Sequence, residues 1–234
     1  MTIPDPGVAE TVSDGVRRIL APNPGPMTHH GTNTWIVGEG RVAVIDPGPA
    51  DPVHLSALRR ALRGEVVTHI LVTHPHADHS PLALGLSVET GAPILGFGPH
   101  DAGRSTIMRE LALSGDLGGG EGRDTAFNPD KRVGDGDLVT GDHWRLEVLH
   151  TPGHFAGHLS FRLGDMLFSG DHVMDWATTL VSPPDGDVAH FIATSERLAD
   201  MGLTACHTGH GDSISDPADR LMELVSHRRN REAS

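Results

Sequence analysis

The sequence predicts an α/β protein, a four-layer αββα sandwich, with residues 1–234 as one domain. Two observations carry this expectation. Strand-like and helix-like segments recur in two comparable blocks, with no low-complexity linker between them. Every stretch rich in metal-type donors falls directly after a strand-like run, where a rigid scaffold displays a site. Helix–sheet–sheet–helix layering is one way to bury the inner faces of two sheets.

The elements follow in order. Residues Thr34 to Ile45 read as a hairpin of two β-rich runs joined by Gly-Glu-Gly, and Asp46-Pro47-Gly48-Pro49 stops it. Asp51-Pro52 opens a helix as N-cap and first-turn proline, with Leu55, Leu58 and Leu62 at helical spacing and Gly64 at its end. A strand over Val66 to Val72 leads into the stretch THPHADHS. A helix over Leu82 to Thr90 stops at Gly91, a strand covers Pro93 to Phe97, and Asp101 to Gly115 looks helical. The glycine-rich run Gly118 to Gly122 reads as a surface loop. The second block has strands at Leu138–Val139, Trp144–Leu149, Met166–Ser169 and Thr204–His207. Two helices complete it, Asp187 to Met201 and one capped by Asp216-Pro217.

Composition bounds the function. Of 234 residues 37% are hydrophobic and 21% charged, as in globular chains. The lone cysteine, Cys206, leaves no internal disulfide, fits a reducing compartment and reads as a small core residue. The start, MTIPDPGVAETVSDG, has neither the basic nor the apolar region of a signal peptide. No apolar run approaches the roughly 20 residues of a membrane span, so no membrane partner and a cytoplasmic location are expected. The net charge of −13 disfavours nucleic acid, because phosphate affinity comes largely from Lys and Arg. Arg228, Arg229 and Arg231 read as a solvated helix end favoured by the helix dipole.

The chemistry is concentrated in THPHADHS. It packs His74, His76, Asp78 and His79 into six residues. In an extended or turn segment His74 and His76 can point to one side, while Asp78 and His79 diverge. One pair can serve one metal and the next pair a neighbour. Imidazole and carboxylate are good zinc donors without any thiolate. His154, Asp171 and His210 each follow a further strand, and Asp171 is the candidate acid to bridge a second metal.

This ordered set resembles the metallo-β-lactamase superfamily: Asp46 in IDPG, THPHADH, TPGH at His154, SGD at Asp171 and TGHGD at His210. The resemblance covers most of the chain and implies the αββα fold. It implies that His74, His76 and His154 bind one metal, that Asp78, His79 and His210 bind another, and that Asp171 bridges both. Asp46 would orient the HxHxDH loop by hydrogen bonds. His158 reads as a residue that packs behind the ligands, and His172, Trp176, Thr178 and Thr179 as candidates for the substrate pocket. His29, His30, His100 and His207 are assigned to its mouth. His54, His69, His143, His150, His190 and His227 are read as surface or structural residues.

Within the superfamily, zinc β-lactamases generally lack a bridging aspartate at the Asp171 position. Lactonases of this fold use a tyrosine near the metals, and this chain has none. GTNTWIVGEGRVAVIDPG, WATTLVSPPDGD and HRRNREAS resemble bacterial relatives of the β-lactamase-like endoribonuclease and of glyoxalase II-like hydrolases. Typical members of that branch continue into a winged-helix-like segment, which is expected to be missing after Ser234. The resemblance implies a dinuclear zinc hydrolase of a small ester or thioester, attacking with a hydroxide held between two Zn2+. Iron or manganese are the alternative metals. The alternative functions are an endoribonuclease or other phosphodiesterase on the same site and a non-catalytic, metal-stabilised binding protein. The expected partner is a small-molecule substrate, with a homodimer as the candidate assembly.

Overall fold

The computed structural model describes residues 4–114 and 122–232. A seven-stranded sheet runs in chain order: β1 (Ala9–Ser13), β2 (Val16–Leu20), β3 (Asn33–Val37), β4 (Arg41–Ile45), β5 (Val66–Leu71), β6 (Ile94–Gly96) and β7 (Lys131–Arg132). The first four strands pair antiparallel, and β4 to β7 pair parallel. A five-stranded sheet is built from β8 (Leu138–Thr140), β9 (Arg145–His150), β10 (Leu159–Leu163), β11 (Met166–Gly170) and β12 (Ala205–Thr208), in the order β12-β11-β10-β9-β8. The helices are α1 (Pro52–Ala61), α2 (Leu82–Thr90), α3 (Thr106–Ser114), α4 (Val188–Ala199) and α5 (Pro217–Glu232).

Side-chain alternation produces the layers. On β4, Val42 and Val44 join Leu58, Leu82 and Leu86 of α1 and α2 in one core. Their neighbours Ala43 and Ile45 point the other way, into a core shared with Leu146, Val148, Phe161 and Phe168 of the second sheet. The far face of that sheet packs Leu149, Leu167 and Cys206 against Phe191 and Leu198 of α4 and Leu221 and Leu224 of α5. The arrangement is therefore helix, sheet, sheet, helix, as expected for the αββα sandwich. Burial pushes the Cys206 thiol up to about 12, with a weaker opposing bond from Ser169.

Local signals set the boundaries. The Asp51 carboxylate accepts from the backbone N–H groups of Val53 and His54 at 2.7 and 2.8 Å, and α1 starts there. Gly91, at φ 74°, ends α2 in the left-handed conformation that favours glycine. Four strands, β1, β2, β7 and β10, go beyond the sequence reading. The β1–β2 hairpin is hidden there because β1 is almost wholly exposed and carries no apolar alternation. β10 follows TPGH so closely that its sequence reads as a continuation of the loop. α3 starts at Thr106, after a turn, rather than at Asp101. Of the glycine-rich run, all but Gly122 lies outside the described residues.

The two sheets are joined where the donor loops meet. The Leu159 N–H donates to the Thr73 carbonyl and the Asn33 N–H to that of Gly209, each at 2.8 Å, and within the second sheet Gly209 N–H donates to Gly170 at 2.8 Å. Thr32 and His210 form a further antiparallel bridge. Loops from both sheets are thereby fixed on one edge of the sandwich.

Candidate metal centre

Two groups of donors converge at that edge. His74, His76, His154 and Asp171 form one, and Asp78, His79 and His210 form the other; within each group the ligand atoms lie within 4.8 Å of one another. Asp171 stands between them. Its Oδ2 is 3.9 Å from His74 Nε2 and 3.8 Å from His154 Nε2. The same carboxylate is 3.4 Å from His79 Nε2 and 3.3 Å from His210 Nε2. Asp78 Oδ2 lies 3.3 and 3.2 Å from the Nε2 atoms of His79 and His210.

Outer partners aim the rings. Asp46 accepts from the Thr73 N–H at 2.8 Å and the Thr73 hydroxyl at 2.7 Å, and its Oδ2 is 2.9 Å from His79 Nδ1. A proton on His79 Nδ1 satisfies that contact and leaves Nε2 as a lone pair facing the cluster. His154 Nδ1 meets the Leu180 carbonyl at 2.6 Å, and His210 Nδ1 meets that of Gly31 at 3.1 Å. His74 Nδ1 meets the Thr73 hydroxyl at 3.0 Å. Four rings thus present Nε2 inward, whereas His76 presents Nδ1, 2.9 Å from His74 Nε2 and 3.2 Å from His154 Nε2. The loop itself is braced from outside: Ala77 N–H donates to the Gly122 carbonyl, Asp124 N–H to that of Pro75, and the Ser80 hydroxyl to the Asp124 carboxylate. Asp46 holds φ 50°, a left-handed conformation kept by the three bonds it accepts.

Electrostatics splits the histidines. Burial lowers His74 well below its usual value and His76 to about 3, helped by the neighbouring imidazoles. Burial also disfavours charge on His79 and His210. There the carboxylates of Asp78 and Asp171 override it, raising His79 strongly and His210 to about 10. Burial acts to raise Asp171, yet the contacts with His210 and His79 hold it well below the usual carboxylate range. The cluster therefore draws positive charge onto itself. Asp171 Oδ1 is buried and makes no hydrogen bond. A buried, unpartnered carboxylate oxygen among inward-facing imidazole nitrogens fits a pair of divalent cations.

Glycines make room for this. A Cβ on Gly209 would collide with Asp171 Oδ1 and lie 3.0 Å from the His79 ring. Gly170, at φ 50°, lies where a Cβ would meet His158 and Thr73 at 2.8 Å.

The other candidates divide. His158 is buried behind the cluster, its Nε2 accepting from the Asp171 N–H at 3.3 Å and its Nδ1 at 2.8 Å from the Thr151 hydroxyl. Trp176, Thr178 and Thr179 line a cavity of about 540 Å³ that opens onto His76, Asp78, His154, Asp171 and His210. His172 does not face that cavity: it is fully buried, 3.1 Å from the Ser195 hydroxyl and packed on Phe191. Alternation at the end of β11 sends Asp171 toward the cluster and its neighbour toward α4. His207 likewise leaves the mouth for the core, between Trp35 and Phe168. His100 is not among the described residues lining the cavity, whereas His29 stacks on Trp176 with centroids 4.6 Å apart and carries His30 beside it. Of the arginines read from sequence as solvated, Arg231 is exposed and Arg228 half-buried, and both line the cavity wall. Their i, i+3 spacing on a helix is legible in the sequence, but which face of α5 meets the pocket is not.

A sandwich with two imidazole–carboxylate groups sharing one aspartate defines a class of metal-binding fold. The pattern of the metallo-beta-lactamase superfamily matches residues 27–221, and the chain belongs to that superfamily. It is 31% identical to the beta-lactamase-like protein 2 homolog of Caenorhabditis elegans, over 95% of this chain and 70% of that protein. It is 27% identical to the atrochrysone carboxyl ACP thioesterase of Claviceps purpurea (strain 20.1), over 98% of this chain and 67% of that one. A crystal structure of the metallo-beta-lactamase family protein TTHA1429 from Thermus thermophilus superposes with a TM-score of 0.77 at 26% identity, covering 95% of this chain and 82% of the other. The chain spans between 63% and 70% of the length of the first curated relatives it matches.

Proposed function

We propose that the chain is a metallo-hydrolase with two zinc ions, acting on a small ester or thioester. The observation that carries this reading is Asp171, whose carboxylate faces both donor groups at 3.3–3.9 Å. His74, His76 and His154 would hold one ion, Asp78, His79 and His210 the other, and Asp171 both. Bound there, two divalent cations supply an activated water and a Lewis acid for a carbonyl oxygen. The protein does the rest. Asp46, through Thr73 and His79, keeps the imidazoles in the tautomer that binds cations. Asp78, steadied by the Thr32 hydroxyl at 2.9 Å, would orient the attacking water. Met27, Met174, Trp176, Leu180 and Val181 give the cavity an apolar wall suited to an acyl group.

The similarity to an ACP thioesterase supports the thioester choice. Among the described residues no helix is long and apolar enough to cross a membrane. With the single buried cysteine, this supports placing a small-molecule hydrolase in the cytoplasm.

Thiol release from a panel of acyl thioesters by the zinc-loaded protein tests the reading, with iron- and manganese-loaded protein in parallel. Turnover is expected with zinc, and Asp171→Ala lowers it on the order of a thousandfold with the circular dichroism unchanged. No turnover with any metal, alongside cleavage of bis(p-nitrophenyl) phosphate, would replace it with the phosphodiesterase reading.

A further inference from the structure

The donor cluster is not the only polar group on the cavity lining. Helix α5 contributes Arg228 and Arg231, the only Lys or Arg among the described residues lining the cavity. They stand out in a chain with 18 Lys and Arg against 31 Asp and Glu. Arg228 is built into the wall. It donates to the carbonyl of Thr179, and its guanidinium sits 5.5 Å above the Phe191 ring. Thr179 in turn donates to the carbonyls of Asp171 and His172 at 3.0 Å. Arg228 is thus tied through one residue to the aspartate between the two donor groups. Arg231, one turn further along α5, is exposed and has no ion-pair partner among the described residues.

From this we infer that the substrate carries an anionic group, a carboxylate or a phosphate, which Arg228 and Arg231 hold while the scissile carbonyl sits at the donor cluster. The inference rests on the hydrolase reading above and narrows its substrate class. A guanidinium pairs with a carboxylate or phosphate in a forked geometry that a neutral group cannot match. An overall charge of −13 repels anions at long range, so an anionic ligand needs a local cationic contact of this kind. The anion has two candidate sources: a carboxylate on the acyl side, or a phosphate on the thiol arm.

Binding of non-hydrolysable thioethers separates them without relying on turnover. The probes are S-hexyl pantetheine, its 4′-phosphate, and S-(5-carboxypentyl) pantetheine. Trp176 is the tryptophan on the cavity wall, while Trp35 and Trp144 are buried between the sheets, so its emission and calorimetry both report occupancy. One charged probe is expected to bind about tenfold or more tightly than the neutral one. The winner identifies the acyl or the thiol arm. In Arg231→Gln the ratio should fall toward one, in Arg231→Lys only part of it should be lost, and in Arg229→Gln it should persist, because Arg229 pairs with Glu196 instead. Equal binding of all three probes, binding of none, or a preference that survives Arg231→Gln overturns the inference. So does an RNA oligonucleotide that displaces the charged probe at lower concentration, which would make the arginines a polyanion contact. Failure of the hydrolase reading is seen separately, as absence of thiol release.

Discussion

The two sheets supply the candidate centre in opposite ways. The seven-stranded sheet gives four donors from a single loop after β5. The five-stranded sheet gives three donors, one each after β9, β11 and β12. The first contribution is dense, so its geometry is set by one loop and by Asp46 and Thr73 behind it. The second is dispersed, so its geometry depends on how three strand ends are fixed to the opposite sheet. A dense donor loop tolerates little change anywhere along it. Dispersed donors can be altered one at a time, except where one of them serves both groups.

Asp171 is that exception and gives the largest expected effect. If the proposed two-metal hydrolase reading holds, Asp171→Ala should cost on the order of a thousandfold in turnover and deplete both metals, whereas His210→Ala should deplete one. Elemental analysis beside circular dichroism checks this, and two full equivalents retained in Asp171→Ala would break the contrast. Next is Gly209→Ala, which removes none of the candidate donors. The collision with Asp171 should displace the carboxylate and lower turnover by about a hundredfold, while thermal unfolding stays cooperative. Wild-type turnover would mean that the dispersed loops yield easily. On the dense side, Asp46→Asn removes the acceptor charge behind Thr73 and His79 and should weaken metal affinity by about 10- to 100-fold, read by competition with a chelator.

The smallest effect concerns stability and compares the two layers away from the metals. Burial lowers the His54 pKa from 6.5 to about 4, against the opposing pull of Asp51 and of the Pro47 carbonyl. The folded value lies below the unfolded one, so the unfolded chain takes up the proton first. Stability from this group is complete above pH 6.5 and is lost as pH falls toward 4. Between pH 7.5 and 5.5 that amounts to about 1 kcal/mol. Urea unfolding of metal-free protein should show the loss, and His54→Gln should reduce its slope. His207 in the second sheet, lowered to about 4 by burial and Arg18, should behave the same way. A pH dependence unchanged by His54→Gln would count against neutral burial of that ring.

The sequence makes these contributions unequally legible. THPHADHS declares itself because four donors within six residues have no common structural explanation. The donors at positions 154, 171 and 210 are readable through their places at strand ends and through the TPGH, SGD and TGHGD stretches that carry the family resemblance. Position 172 shows the limit of that method: a histidine beside a donor at a strand end faces the opposite layer, because successive residues alternate. His207 misleads for the related reason that a strand's last residues can still be core. The arginines at 228 and 231 read as a solvated helix end, since sequence spacing fixes a common helix face but not what that face meets. The β1–β2 hairpin has no apolar period to reveal it.

The second sheet also bears on how this protein is assayed. Cys206 is the only thiol, fully buried in β12, and burial holds it protonated to about pH 12. A disulfide reagent that reports released thiol therefore draws no colour from the native chain, since the thiolate is the reactive species. Any slow protein-derived signal in such an assay counts molecules that have opened. The same cuvette can follow turnover in its fast phase and loss of the folded state in its slow one.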